Sequence, residues 1–276
     1  MKRLITAVIL IPLFYLYVTK LPEGYFFGLI SIITLIGLYE FYRMFRLKKE
    51  ITILSVFAGL LVLYILYKDI PQASNLSVEA IAFSFIIIAS YRMLIKDPSN
   101  SLRDTGLAIA GIVYVIVLMS FQLRLRHIGP EWIIFLYGTI WLSDSSAYYI
   151  GTYLGRRKLY PQLSPNKTVE GAMASVAGGI AGSYILGMIF LKPSHIQTQL
   201  LLSAPISLKP IISGKDLFIL GIIIGIGCVI GDLIESMYKR DAGVKDSSSL
   251  IPGHGGILDK IDSSLVVAPI VYLYIR

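Results

Sequence analysis

Charged side chains are concentrated in one polar stretch near the carboxyl end of the sequence, residues 236–262, between two apolar stretches. Its carboxylates are Asp241, Asp246, Asp259 and Asp262, and its cations are Lys239, Arg240, Lys245, Lys260 and, when protonated, His254. Carboxylate oxygens are good ligands for hard divalent cations, and lysine and arginine beside exposed backbone amides bind phosphate. The stretch therefore predicts metal-assisted chemistry on a polyphosphate at a membrane surface.

The same stretch contains a glycine-rich turn sequence, Pro252-Gly253-His254-Gly255-Gly256. Glycine adopts backbone angles that other residues avoid, and it lets a ligand approach the main chain closely. We predict that Gly253, Gly255 and Gly256 approach a phosphate, with simple turn formation as the alternative for each of them. His254 is a candidate metal ligand, acid or phosphate donor, although most single histidines have none of these roles.

Two acidic residues, Asp232 and Glu235, precede the polar stretch. They are three residues apart and share one helical face, which Ser236 and Lys239 extend. Glu235 lies four residues before Lys239, and this spacing predicts a structural ion pair. Asp232 lies deeper in the apolar segment without an obvious local partner, so we predict that it is a metal ligand.

A further carboxylate, Asp144, lies among serines inside the sixth apolar segment. A charge at the centre of a membrane costs about 2.5–3.5 kcal/mol on insertion scales, so an acidic residue at this depth is a functional candidate. We predict that Asp144 has a functional role. The alternative is an ion pair with a lysine elsewhere in the chain.

A second polar block, residues 164–171 with the sequence SPNKTVEG, follows that segment. Ser164 or Thr168 can cap a helix, and Pro165 suits a first helical turn. A helix amino terminus beside Lys167 is a natural site for an anion. Helix capping without ligand binding is the alternative interpretation.

The composition places these motifs in a membrane protein. Hydrophobic residues make up 55% of the 276 residues and charged residues 15%, whereas soluble domains carry about 25% charged residues. Nine apolar segments are candidate membrane spans, and the last gains length if its helix begins near Ile257. They are residues 4–19, 25–45, 51–67, 77–95, 107–123, 131–154, 171–191, 216–238 and 263–275. Because lipid provides no water to open strands, we predict an all-α polytopic integral membrane protein with about nine transmembrane helices.

The chemistry-bearing residues divide the spans into two regions. Residues 1–123 form a predicted transmembrane scaffold of about five spans, and residues 124–276 form a catalytic region of about four spans with two polar loops. Within the scaffold, Glu40 and Arg43 lie three residues apart near a helix end and are predicted to form an interfacial ion pair. Small residues recur at four-residue spacing in the seventh and eighth spans, which predicts close helix packing.

The distribution of lysine and arginine predicts the orientation. With a cytoplasmic amino terminus and nine spans, 17 of the 25 basic residues lie inside and 8 lie outside, in agreement with the positive-inside rule. We therefore predict a bacterial inner-membrane protein whose amino terminus and two catalytic loops are cytoplasmic. Span ends and anionic lipid headgroups also account for the net charge of +8, so no nucleic-acid partner is expected.

Together these motifs resemble those of the phosphatidate cytidylyltransferase family, also called CDP-diacylglycerol synthases. The residues that carry the resemblance are Ser236, Lys239, Arg240, Lys245, Asp246, residues 252–256, Asp259 and Asp262, with Asp144 and residues 164–171 upstream. The resemblance covers about half of the chain, from Asp144 to the carboxyl end. The family has arginine where this chain has Lys260, which is the one departure.

The resemblance implies that CTP and phosphatidate are the substrates, that CDP-diacylglycerol and pyrophosphate are the products, and that Mg²⁺ is required, with room for a second cation. On this basis the metal ligands are predicted to be Asp144, Asp232, Asp246 and Asp259. The predicted catalytic side chains are Lys167, Lys239, Arg240, Lys245, His254 and Lys260. The predicted substrate-binding residues are Ser164, Asn166, Thr168, Ser236, Gly253, Gly255 and Gly256.

The reaction itself suits a site of this kind. Phosphatidate is a phosphomonoester whose second pKa is about 6, so its attacking oxygen is ionised at neutral pH without a general base. The protein must supply neutralising charge and in-line alignment.

Two other classes of protein fit the membrane setting. A CTP-dependent polyprenol or lipid kinase would transfer the γ-phosphate to an alcohol, and an ion-coupled transporter would use the buried carboxylates for an ion path. A homodimer is among the oligomeric states that the sequence leaves open.

Overall fold

The computed structural model of the chain describes residues 2–70, 76–191, 212–250 and 255–276. Side chains are described for residues 11–70, 78–191, 212–250 and 255–276. Two of the predicted site residues, Gly253 and His254, lie outside the described residues. So does most of the predicted outer connection, residues 192–215.

Nearly all of the described chain is helical. The helices are α1 (Lys2–Lys20), α2 (Glu23–Met44), α3 (Lys49–Asp69), α4 (Leu76–Leu94), α5 (Ser101–Gly111), α6 (Leu118–Ile128), α7 (Pro130–Leu154), α8 (Val169–Leu186), α9 (Gly214–Asp241) and α10 (Leu258–Ile275). Two π-helical segments, Ile112–Val117 and Gly187–Leu191, continue α5 into α6 and extend α8. Each of the nine predicted apolar segments is helical. The last helix begins at Leu258, which confirms the start predicted near Ile257.

Among the described residues, five helical stretches are long and apolar enough to cross a membrane. They are Glu23–Met44, Lys49–Asp69, Ser101–Ile128, Val169–Leu191 and Gly214–Asp241. Helices suit this role because every backbone polar group is satisfied within the segment. The membrane character of the chain is therefore confirmed.

The chain is not entirely helical, which corrects the all-α prediction. Strand β1 (Lys158–Tyr160) pairs antiparallel with β2 (Ser164–Thr168), with Lys158 opposite Thr168 and Tyr160 opposite Ser164. Strands can form here because this polar sequence lies between two apolar segments. Outside lipid, water can satisfy open backbone groups, so the chain does not have to be helical. The second polar block therefore begins as a strand, and Pro165 lies in β2 instead of a first helical turn.

The residues fall into two compact units. The first comprises residues 1–23, 125–230 and 266–276, and the second comprises residues 24–124 and 231–265. The division predicted at residue 123 separates a scaffold from a catalytic region by function. The compact units do not test it, so it stays a prediction.

In the first unit, small residues allow helices to pack backbone against backbone. A Cβ built on Gly225 of α9 would lie 2.5 Å from Cα of Val176, and one on Gly179 of α8 would lie 2.5 Å from the carbonyl oxygen of Gly221. Ser175 Oγ donates to the carbonyl oxygen of Gly225 at 3.0 Å across the same interface. These contacts confirm the packing role predicted for the small-residue spacing.

The second unit is held by an apolar core and by two buried polar contacts. Leu38, Tyr42 and Leu63 are fully buried, and the Tyr42 hydroxyl donates to the carbonyl oxygen of Ala108 at 2.6 Å. Arg92 of α4 forms an ion pair with Asp104 of α5, with Nε 2.9 Å from Oδ2. This pair ties α4 to α5 across their short connection.

Candidate active site

In the second unit, helices α9 and α10 meet backbone against backbone at Gly231. A Cβ at this position would lie 2.6 Å from the carbonyl oxygen of Asp262 and 2.9 Å from Cα of Ser263. Backbone atoms cannot move aside cheaply, so the crossing requires a residue without a side chain. This close approach brings the acidic residue after Gly231 on α9, Asp232, towards Asp262 on α10.

The result is a cluster of three carboxylates, called here the acidic cluster: Asp232, Glu235 and Asp262. One oxygen from each lies within 4.8 Å of the others. Glu235 is 1% exposed, and its Oε1 has no hydrogen-bond partner among the described residues. Three converging carboxylates repel one another unless they share a positive charge. An all-oxygen donor set of this kind suits a hard divalent cation.

Lys239 links the acidic cluster to a fourth carboxylate. Its Nζ forms an ion pair with Glu235, one helical turn earlier on α9, which confirms the predicted structural pair. The same Nζ lies 2.7 Å from Oδ1 of Asp259 in the first turn of α10. Lys239 therefore holds the end of α9 to the start of α10.

Asp259 accepts bonds from the loop that joins α9 to α10, residues 242–257, called here the signature loop. Its Oδ2 accepts hydrogen bonds from the amide of Gly256 at 2.7 Å and from the hydroxyl of Ser247 at 2.8 Å. The amide of Ser247 lies 3.2 Å from the same oxygen. These contacts support a role in ordering the loop, and the predicted metal-ligand role of Asp259 stays a prediction.

Glu40 of α2 holds the other side of the signature loop. Its side chain is buried, and it accepts four hydrogen bonds, from the hydroxyls of Ser247 and Ser248 and the amides of Ile257 and Leu258. The amide bonds measure 3.1 Å and 2.8 Å and satisfy donors at the start of α10. The predicted interfacial pair with Arg43 is therefore wrong, because the carboxylate of Glu40 turns inward to donors more than 200 residues away in sequence.

The two described glycines of the turn sequence have conformational and packing roles. Gly255 has φ +81°, in the left-handed region that glycine tolerates best. A Cβ on Gly256 would lie 2.2 Å from the hydroxyl oxygen of Ser247 and 2.5 Å from Oε2 of Glu40. Both glycines are thus needed for the loop to close on Glu40 and Asp259, and their predicted contact with phosphate stays a prediction.

The other predicted residues of the second unit lie on or beside this loop. Ser236 is buried on α9. The remaining four side chains are exposed: Arg240, Lys245, Asp246 and Lys260. The guanidinium of Arg240 donates to the carbonyl oxygen of Val244 at 3.2 Å, which steadies the turn after α9. Three cations are therefore exposed, Lys245 in the loop and Arg240 and Lys260 on the helices beside it, and their roles stay predictions.

The remaining predicted site residues lie in the first unit. Asp144 is on α7, and β2 carries Ser164, Asn166 and Lys167. Thr168 is the cap of α8: its hydroxyl accepts a hydrogen bond from the amide of Gly171 at 3.1 Å. This selects Thr168 over Ser164 among the two predicted caps.

The structure adds three residues to the candidate site that the sequence did not assign. Glu235 and Asp262 join Asp232 as candidate metal ligands. A signal for Asp262 was present, because a helix that begins at Leu258 places it one turn after Asp259. No local signal identified Glu40, whose partners are distant in sequence.

Comparisons with known proteins show which family the chain belongs to. The chain belongs to the cytidylyltransferase family, whose sequence profile matches residues 1–276. It is similar to a phosphatidate cytidylyltransferase of Bacillus subtilis (strain 168), with 34% identity over 98% of this chain and 96% of the relative. The phosphatidate cytidylyltransferase of Staphylococcus haemolyticus (strain JCSC1435) is 34% identical over 87% of this chain and 85% of its own. The phosphatidate cytidylyltransferase of Staphylococcus saprophyticus is 33% identical over 98% of this chain and 96% of the relative.

Proposed function

We propose that this protein is a phosphatidate cytidylyltransferase, which transfers CMP from CTP to phosphatidate and releases pyrophosphate. The observation that carries the proposal is the acidic cluster, in which the half-buried Asp232 and Asp262 converge on the buried Glu235 between α9 and α10, beside the signature loop. Membership of the cytidylyltransferase family and the full-length similarity to the named relatives support the same reaction.

In the proposed reaction, an oxygen of the phosphatidate phosphate attacks the α-phosphorus of CTP. A bond forms between them, and the bond from the α-phosphorus to the oxygen bridging to the β-phosphate breaks. The electron pair leaves with pyrophosphate. No proton has to be removed from the attacking oxygen, because a phosphomonoester is largely ionised at neutral pH. The protein therefore acts through alignment and charge.

The carboxylates of Asp232, Glu235 and Asp262 are the residues that would hold a divalent cation, and Mg²⁺ is the cation we propose. Their all-oxygen donor set and the buried Oε1 of Glu235 without a hydrogen-bond partner among the described residues fit such an ion. When bound, the ion neutralises phosphate charge and orients the triphosphate. The predicted second cation and the predicted ligands Asp144, Asp246 and Asp259 remain part of the proposal.

The basic residues are proposed to clamp phosphate groups. Arg240, Lys245 and Lys260 are exposed in or beside the signature loop, where a charged ligand has access to them. Lys167 is proposed to contribute from β2, beside the start of α8. Lys239 is held by Glu235 and Asp259, so its proposed role is to fix the geometry of the carboxylates and to lower their mutual repulsion.

The proposed topology has nine spans, a cytoplasmic amino terminus and a cytoplasmic signature loop in the bacterial inner membrane. This is the side on which CTP is available. A cysteine replacing the exposed Ser249 should react with a membrane-impermeant maleimide only in inverted vesicles. The native cysteine, Cys228, is buried and gives a low background. Labelling in intact cells would contradict the orientation.

Radiolabelled CTP tests the reaction directly. Purified protein with phosphatidate and Mg²⁺ should move label from the α-phosphate of CTP into a lipid that thin-layer chromatography resolves. Label in the γ-phosphate should leave as pyrophosphate. A lipid kinase would give the reverse pattern, with γ-label in the lipid, and that pattern would contradict the proposal.

A further inference from the structure

A tyrosine in the second unit lies at a break in regular helical bonding. Tyr114 belongs to the π-helical segment Ile112–Val117, where α5 continues into α6. Short π segments inside α-helices occur often at functional sites, because they re-aim a side chain that a regular helix would point elsewhere. No motif in the sequence marks this position.

The hydroxyl of Tyr114 is buried without a hydrogen-bond partner among the described residues. The residue is 8% exposed, and its Oη makes no hydrogen bond there. Tyr42, a second buried tyrosine of the same unit, donates to the carbonyl oxygen of Ala108 at 2.6 Å. Buried polar groups are nearly always satisfied, and the exceptions need an explanation such as a bound ligand.

The surroundings of Tyr114 indicate what that ligand is. Its ring packs edge to face against Tyr238 of α9, with the centroids 5.1 Å apart, and lies 6.0 Å from the ring of Phe41. Tyr238 follows Glu235 by about one turn, so Tyr114 packs against the helix that carries two of the three carboxylates of the acidic cluster, Asp232 and Glu235. The aromatic contacts fix the ring, so the hydroxyl is held in a defined position beside the helix that carries Asp232 and Glu235.

We propose that Tyr114 is a substrate-contacting residue whose hydroxyl donates a hydrogen bond to a phosphate oxygen held at the acidic cluster. A phenol is a neutral donor at neutral pH, and a phosphate oxygen is a strong acceptor. The phosphate belongs either to CTP or to phosphatidate, which offer the same chemistry. The inference rests on the proposed binding of a divalent cation by the acidic cluster, because the cation brings the anion to this position.

The test is Tyr114→Phe, which removes one oxygen atom and keeps the packing of the ring. Turnover should fall about ten- to a hundredfold, the usual value of a hydrogen bond to a charged group. The melting temperature of the full-length protein without ligands should stay the same or rise, because the hydroxyl that is removed makes no hydrogen bond with the described part of the protein. Calorimetric titrations in Mg²⁺, one with CTP and one with phosphatidate in mixed micelles, should show weaker binding of the substrate that Tyr114 contacts.

Two control variants separate the explanations. Tyr42→Phe loses a hydrogen bond to the main chain, so it should lower the melting temperature and keep turnover per folded molecule. Asp262→Asn should weaken binding of Mg²⁺ alone, which Tyr114→Phe should leave unchanged.

The outcomes are distinguishable. Wild-type turnover and substrate affinity in Tyr114→Phe would overturn the proposal for Tyr114, and so would a fall in its melting temperature of the size seen for Tyr42→Phe. Unchanged Mg²⁺ binding in Asp262→Asn would overturn the cation site itself, and with it the phosphate placed beside Tyr114.

Discussion

The second unit buries charge in two different ways. Between α4 and α5, Arg92 and Asp104 form a closed pair, and the guanidinium also donates to the carbonyl oxygens of Asp97 and Ser99. Between α9 and α10, Asp232, Glu235 and Asp262 bring three carboxylates together, and Lys239 pairs with Glu235.

The difference teaches how to separate structural charge from functional charge. The pair of Arg92 and Asp104 balances its own charge, so it needs nothing from outside the protein. The acidic cluster gathers three carboxylates, one of them buried, and this arrangement costs stability unless a cation is shared among them. Accumulated like charge is therefore the feature that distinguishes the candidate site, whereas a buried ion pair does not.

The largest expected effect is on stability, at the closed pair. Asp104→Asn leaves Arg92 without its counter-ion, and removing one partner of a buried ion pair costs about 3–5 kcal/mol. We expect a clear fall in melting temperature and normal turnover in the molecules that remain folded. Thermal unfolding in detergent measures the first, and turnover per folded molecule measures the second.

The matched control for this variant is Asp97→Asn in the same connection. Asp97 is 48% exposed and lies 3.7 Å from Lys48, and an exposed pair is worth about 1 kcal/mol or less. If both variants were equally stable, Arg92 and Asp104 would not be the structural pair described here.

The opposite result is expected at the acidic cluster. Asp262→Asn should leave stability without divalent cations unchanged or higher, because one repelling charge is gone. Turnover should fall roughly a hundredfold or more, since the loss of a metal ligand removes several kcal/mol of transition-state stabilisation. Isothermal titration with Mg²⁺ should show weaker binding.

Asp241→Asn, at the exposed end of α9, is the matched control and should behave like the wild type. Equal Mg²⁺ affinity in Asp262→Asn and Asp241→Asn would move the cation away from the cluster. A loss of stability as large as that of Asp104→Asn would remove the distinction between the two regions.

Glu40 combines both kinds of charge, because it is a structural carboxylate that serves the site. In Glu40→Gln one of the two acceptor oxygens becomes an NH₂ group, which faces one serine hydroxyl and one of the amides of Ile257 and Leu258. A buried amide left without an acceptor costs about 1–3 kcal/mol. We expect faster hydrogen exchange at the amides of Ile257 and Leu258, and a roughly tenfold lower kcat/KM for CTP. Glu50→Gln, at an exposed position in α3, should change neither quantity. Protected loop amides in Glu40→Gln would show that the four bonds do not order the loop.

The smallest expected effect tests the helix crossing. In Gly231→Ala the added methyl group meets the backbone of Asp262 and Ser263, and overpacking of this kind costs about 1–3 kcal/mol. Because the helices move apart, Mg²⁺ affinity and turnover should fall several-fold. Gly28→Ala in α2 is the matched control, since nothing lies within 4 Å of a Cβ there. Unchanged Mg²⁺ affinity in Gly231→Ala would show that the crossing does not set the spacing of the carboxylates.

The sequence by itself determined the helices and some of the residues that meet in the acidic cluster. Apolar segments long enough to meet lipid must be helical, so hydropathy alone placed all nine helical segments, including the start of α10 at Leu258. Local spacing also predicted the pair of Glu235 and Lys239, because both lie on one helix and its geometry is fixed. Asp232 stood out as an acidic residue in an apolar segment, and it belongs to the cluster.

Only the tertiary structure decided which of the acidic residues meet. Asp262 joins Asp232 because α9 and α10 touch at Gly231, and Glu40 reaches the signature loop because α2 folds against it. These relations depend on distances between segments far apart in the chain, which helical periodicity does not encode. The same limit applies to Tyr114: its ring is aimed by a π-helical turn and fixed by aromatic partners on α2 and α9. Sequence spacing describes one helix at a time, whereas a site built by several helices exists only once they pack.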